Sequence, residues 1–251
     1  MVAQSVAAEA GGQRDDGSVR LAGPADVADL AAFVGRVVRL DPTALLRLRS
    51  AAGSVTAYVW LPFGVLVSRS APTNGGPADI TVAAADMLAV VERVGDSGAV
   101  PLPAARDSAW RGAIPPGAGW HRVDDVPADV VRRLVRAGAE TLRSVGPRGA
   151  ATAGEALLDH ESLTVSGGGR TVVLPLRVLS AAWRMGFLGP GPVGGPGAGS
   201  ASDERDHATG PAPAVPADSV VVSWVGGWVR FAAPYGSAYR QLTRGLSVSP
   251  R

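Results

Sequence analysis

Near the end of this chain two apolar runs, Val220–Trp224 and Trp228–Ala232, flank Gly226-Gly227. A two-residue type I′ turn needs positive φ at both central positions, and two glycines supply it without steric cost. The register that follows sets Trp224 opposite Val229 and Val222 opposite Phe231, while Trp228 leaves that face. One side of the hairpin is then wholly apolar and must pack on something. The hairpin therefore belongs inside the fold.

Upstream, the hydrophobic period changes at Ala44. Before it, Val27, Leu30, Ala31, Val34, Val37 and Val38 recur at helical spacing behind Pro24-Ala25-Asp26, and Asp41-Pro42 ends the run. After it, Leu46-Arg47-Leu48-Arg49 alternates. Val55–Leu61 and Val65–Ser68 continue around Leu61-Pro62-Phe63-Gly64, which suits a type I turn closed by a glycine bulge. Residues 44–69 read as a three-stranded antiparallel meander. Ile80–Val82 reads as a short strand leading into a helix through Val94, with Met87, Leu88 and Val91 buried. A long Pro/Gly/Ala-rich connection follows over 95–118. The next helix is capped by Asp124 or Asp125, has Pro127 in its first turn, and buries Val130, Leu134, Val135, Leu142 and Val145. Ser162–Ser166 and Thr171–Leu174 form a hairpin over Gly167-Gly168-Gly169. Pro175 then opens a helix through Leu188 with Leu179, Ala182, Trp183 and Phe187 inward.

The expected fold is α+β: an antiparallel sheet made of the three-stranded meander plus two hairpins, packed on three or four helices, with a long disordered insertion. Residues 1–23 read as a disordered tail, 24–145 as an N-terminal α+β subdomain, and 155–240 as a C-terminal α+β subdomain. The insertion interrupting the latter spans 189–218, where 13 of 30 residues are Gly or Pro. Residues 241–251 form a tail. Both halves hold a strand running straight into a helix, a weak internal echo.

Composition removes many chemistries. The chain has no lysine and no cysteine, so all 24 basic side chains are arginine. No Schiff-base lysine, Walker lysine, thiolate nucleophile, iron–sulfur cluster or disulfide can form. The pI near 9.6 reflects arginine as the one strong base, because formal net charge is only +2. No secretory leader is legible in the first residues, and the uncharged run Ser50–Ser68 alternates rather than reading as a span. A cytoplasmic protein without a membrane anchor is expected.

Among candidate sites, Gly189-Pro-Gly191-Pro-Val-Gly194 has the letters of a dinucleotide fingerprint without its strand and helix. Asp159-His160-Glu161-Ser162 sets acid, base and hydroxyl side by side, but neighbours on a strand point to opposite faces. His207 has no supporting context. Arg132, Arg133, Arg136 and Arg143 line the wet side of the 127–145 helix and could follow a phosphate backbone, although a solvated helix face explains them more simply. Trp110, Trp120, His121, Asp124 and Trp228 are the candidate ligand-binding residues. Trp60, Trp183, Trp224 and Trp228 are assigned to the core. No catalytic residue, metal ligand or cofactor is assigned.

Three segments carry a resemblance: Val59-Trp60-Leu61-Pro62-Phe63-Gly64-Val65-Leu66-Val67-Ser68, Trp110-Arg111-Gly112-Ala113-Ile114-Pro115-Pro116, and Gly227-Trp228-Val229-Arg230-Phe231-Ala232-Ala233-Pro234-Tyr235-Gly236. They resemble an uncharacterised protein family of high-GC bacteria, and the resemblance implies no activity, cofactor or active site. The expected function is a non-catalytic interaction or regulatory module with a protein partner or self-association. Nucleic-acid binding through the arginine-lined helix and a small-ligand or enzyme site near His121 are the alternatives.

Overall fold

A computed structural model describes residues 17–94, 98–144, 154–189 and 218–242. In chain order they form β1 (Ser18–Leu21), α1 (Pro24–Leu40), β2 (Leu45–Ala51), β3 (Ser54–Trp60), β4 (Leu66–Gly75), β5 (Asp79–Ala83), α2 (Ala84–Val94) and β6 (Ala99–Pro101). Then come β7 (His121–Pro127), α3 (Ala128–Ser144), a short helix α4 over 154–159, β8 (Glu161–Gly167), β9 (Arg170–Pro175), α5 (Leu176–Arg184), β10 (Ser219–Val225), β11 (Trp228–Ala233) and β12 (Gly236–Gln241). The fold is α+β, with every strand pair antiparallel.

One sheet runs β5-β2-β3-β4-β12-β11-β10-β7, with β1 branching from β4 and β6 pairing with β1. The two halves of the chain join at a short seam where Tyr239, Ala238 and Ser237 pair with Leu66, Val67 and Ser68. In the meander, Gly64 N–H donates to Leu61 O (2.9 Å) and Leu61 N–H to Val65 O (2.9 Å). Gly64 has a φ of 75°, the left-handed value that closes a glycine bulge. The late hairpin has the expected register, Trp224 opposite Val229 and Val222 opposite Phe231.

The helices cover one face of this sheet. Leu46, Leu48, Val59, Val67, Val222 and Phe231 from the strands meet Leu30, Val34, Met87, Val131 and Leu179 from the helices in one hydrophobic core. At about 25 cal/mol per Å2 of apolar area, such a layer is the main source of stability.

Three helices leave their strands with no loop: β5 becomes α2, β7 becomes α3 and β9 becomes α5. The same device closes each junction. Ala84, Ala128 and Leu176 donate their amide N–H to Ala44 O (2.9 Å), Asp218 O (2.8 Å) and His160 O (2.9 Å), each the residue just before the adjoining strand β2, β10 or β8. A helix's first amides lack intrahelical acceptors, and here the strand ladder supplies one without a capping side chain.

That device corrects one expectation. Asp124 and Asp125 lie inside β7 rather than capping α3, because α3 takes its first acceptor from Asp218. Other expectations change with it. Residues 18–21 are a strand, not tail, and bury Val19 and Leu21 against β4 and β6. The 95–118 connection contains β6. The β8–β9 hairpin forms its own two-stranded sheet instead of joining the main one. Because β7 pairs with β10, residues 121–144 associate with the later elements rather than with 24–120. Trp183 is not core; it is 42% exposed on α5. The stretch 50–68 is strand, and no described helix is long and apolar enough to cross a membrane. The tail to residue 16, most of the 189–218 insertion with Pro190–Gly194 and His207, Val145 and the tail from 243 lie outside the described residues.

Candidate functional site

The other face of the sheet has a different chemistry. Strand alternation puts Val55, Ala57 and Val59 on the helix side and turns Tyr58 and Trp60 outward. On β4, β11 and β12 the outward positions are Leu66, Trp228, Arg230 and Tyr239. Tyr58, Leu66, Trp228 and Tyr239 are buried as a second cluster, with Trp60, Trp110, Ile114, Trp120 and Val225 packed on it. Four of the chain's six tryptophans meet here.

The cover is the connection between β6 and β7. It is tied to the edge strand β5 by Arg106 N–H donating to Thr81 O (2.7 Å) and by Thr81 N–H donating to Asp107 Oδ1 (2.6 Å). It then lays Trp110, Ile114 and Trp120 over the aromatic cluster. Trp110 Nε1–H donates to Gly112 O, and Trp120 Nε1–H to Pro116 O at 3.0 Å. The Arg47 guanidinium sits 5.7 Å from the Trp110 ring and Arg230 sits 4.7 Å from the Trp120 ring, both within cation–π range. Trp60 Nε1 is buried without a hydrogen-bond partner, under Gly112. A Cβ on Gly112 would lie 1.9 Å from that nitrogen, so only glycine fits.

Trp60 separates two openings. On one side is a cleft of about 390 Å3 lined by Asp41, Thr43, Trp60, Trp110, Arg111 and Gly112 among others. On the other is a groove of about 730 Å3 lined by Trp60, Gly64, Arg177, Gly227, Trp228 and the β12 end from Arg240 to Leu242. Arg177 donates to Phe63 O (2.6 Å) and pairs with Asp159 (2.6 Å), and Arg240 donates to Val173 O (2.8 Å).

Burial shifts the titrating groups on this face. Desolvation, with Tyr239 beside it, pushes the Tyr58 phenol up to about 12. Desolvation likewise lowers the Arg230 guanidinium. Arg47 is raised by its hydrogen bond to Asp79.

The structure brings Trp110, Trp120 and Trp228 into one cluster and leaves His121 and Asp124 out of it. His121 is exposed on β7, its ring 5.1 Å from Trp224, and Asp124 Oδ1 accepts the Asp125 N–H. Of the α3 arginines, Arg132 is not on the wet side. It is buried in the stripe with Val131 and Val135 and donates to Leu188 O. Arg133 pairs with Asp129, while Arg136 and Arg143 are exposed and have no ion-pair partner among the described residues. His160 is exposed, and its neighbour Asp159 is held by Arg177. No group of three or more acidic or histidine side chains able to hold a metal occurs among the described residues. Sequence reasoning missed Tyr58, Tyr239, Arg230 and Arg240. The one local signal was alternation, which places Tyr58 and Trp60 opposite Val59.

No curated protein matches the sequence. Among solved structures, the β subunit from DNA polymerase of Streptococcus pyogenes aligns with a TM-score of 0.51 at 11% identity, over 93% of this chain and 65% of that one. The DNA polymerase sliding clamp from Caulobacter crescentus aligns at 0.49 and 12% identity, over 93% and 69%. The chain thus spans about two thirds of the length of either protein. The likeness to the streptococcal subunit is one of fold. Residues 15–112 match a domain of unknown function, DUF8010. A second such domain covers more than half the chain, residues 115–245, and the protein accordingly belongs to the DUF8185 family, a family of unknown function.

Proposed function

We propose that this chain is a non-catalytic cytoplasmic interaction module that docks a short segment of a protein partner in the groove between Trp60 and Trp228. The observation that carries this reading is an open groove of about 730 Å3 walled by two indoles and rimmed by two guanidinium groups. Tryptophan, tyrosine and arginine are the side chains that dominate binding energy at interfaces, and the volume lies within the range of ordinary ligand sites. The chain lacks lysine and cysteine, and the Ser162 hydroxyl beside His160 bonds that residue's backbone carbonyl rather than its imidazole. That favours recognition over catalysis. The fold likeness to a polymerase β subunit agrees with a scaffold role.

Selection of a phage-displayed dodecapeptide library on the immobilised protein tests the reading, followed by fluorescence polarisation of the enriched peptides. Enriched peptides should lose at least about tenfold in affinity on Trp60→Ala and keep it on Trp183→Ala, whose indole lies on the helix side. Failure to enrich any peptide, or indifference to Trp60→Ala, sinks the proposal. If the partner is a second copy of the chain, sedimentation shows a dimer that Trp60→Ala dissociates.

A second reading, DNA association through the helix layer, is favoured by Arg136 and Arg143, exposed on α3 without acidic partners among the described residues. It requires duplex binding that weakens steeply with salt and weakens further in an Arg136→Ala/Arg143→Ala variant.

A further inference from the structure

The half-buried arginines fall into two groups, those that hold a carboxylate and those, like Arg230 and the groove-lining Arg240, that hold none among the described residues. Arg47, Arg69 and Arg177 each hold a carboxylate, from Asp79, Asp29 and Asp159 respectively. Arg230 holds none among the described residues. Its Nε donates to Ser223 Oγ at 3.3 Å, its guanidinium carbon lies 4.7 Å from the Trp120 ring, and Tyr58 and Tyr239 are near enough to act on its charge. A cation withdrawn from water without a counter-ion is costly, and burial lowers its affinity for the proton accordingly. The planar fork still has donors that an incoming pair of acceptor oxygens would satisfy.

Its position ties it to the groove. Trp228, which lines the groove, and Arg230 are successive outward residues of β11, opposite Gln241 and Tyr239. Two residues along a strand is about 7 Å, roughly the spacing between alternate side chains of an extended peptide. Among the described lining residues the charged ones are Arg177 and Arg240, both positive. Arg177 is already held by Asp159 and Glu155, so Arg240 in the lining and Arg230 beside it are the cations without a carboxylate among the described residues. Charge complementarity at these two points to an acidic partner. Tyr58, Trp228 and Tyr239 are buried and Trp60 half-buried instead of forming an open stacking platform, which favours a peptide over single-stranded nucleic acid.

We infer that Arg230 is the specificity-determining residue of this surface: it receives the carboxylate of an Asp or Glu from a docked peptide whose apolar side chain sits between Trp60 and Trp228. This rests on the docking function proposed above. The interaction is a charge-assisted, two-point hydrogen bond closed over by Trp120.

The same peptide selection, run on wild type and on Arg230→Gln, tests it. Wild type should enrich peptides with an acidic residue one or two positions from an apolar anchor, and Arg230→Gln should enrich the anchor alone. For one enriched peptide, its Glu→Gln form and Arg230→Gln should each weaken binding at least about tenfold, with no further loss when combined. Arg230→Lys should restore part of the loss, and an unchanged melting temperature excludes unfolding as its cause. Peptides that need Trp60 but show no acidic preference, or keep it in Arg230→Gln, overturn this inference and leave the docking function standing. No Trp60-dependent peptide at all overturns both. A labelled oligo-dT that binds wild type and is released by Arg230→Gln would also overturn it, assigning the site to phosphate.

Discussion

The two faces of the main sheet are both buried, yet they are built from different materials. The helix side is mostly aliphatic, with Phe33, Phe187 and Phe231 set among the Val, Leu and Ala side chains, and its core holds no tyrosine among the described residues. It is closed by α1, α2, α3 and α5, and its largest members such as Phe231 and Leu46 are buried. The outer side is aromatic and guanidinium-rich, closed by one connection held through a few polar contacts. Aliphatic packing is non-directional and stabilising, whereas Trp, Tyr and Arg surfaces are exchangeable, because a partner offers equivalent contacts. One face holds the fold and the other is available for recognition.

The largest test of that division is Phe231→Ala. It should lower unfolding free energy by about 3–5 kcal/mol in urea titration. A loss below about 1 kcal/mol would remove the special status of the helix side. Next is the buried phenol. Tyr58 ionises near 12 when folded against about 10 when unfolded, so the folded state retains a proton that the unfolded state has lost. Stability supplied by the neutral phenol is full below about pH 10 and falls as pH rises toward 12. Tyr58→Phe should flatten that decline in chemical denaturation at stepped alkaline pH. Gly112→Ala should cost about 1–3 kcal/mol by forcing the connection off Trp60. Greater acrylamide quenching of tryptophan emission, with far-UV circular dichroism unchanged, would locate the damage on the outer face. Smallest is Asp107→Ala, worth about 1 kcal/mol, which should speed amide exchange at Thr81.

Much of the helix side was legible in the sequence. Helix α1 and the meander announce themselves through periods of 3.6 and 2, and the Gly226-Gly227 turn fixes a register that the structure has. The outer face was only half legible. Trp110, Trp120 and Trp228 could be singled out as aromatics in loops or on the wet side of a hairpin. Tyr58, Tyr239 and Arg230 could not, because their meeting depends on the β4–β12 seam between residues far apart in the chain. The caps misread for the same reason. The acceptor for α3 is a backbone carbonyl at Asp218, and backbone atoms carry no sequence signature.

The loopless passage from strand to helix at Ala84, Ala128 and Leu176 gears two periodicities together. Deleting one residue in β7 would turn the strand's side chains over and rotate α3 by about 100° in the same stroke. Substitutions at these junctions act locally, but a change of length cannot be absorbed there.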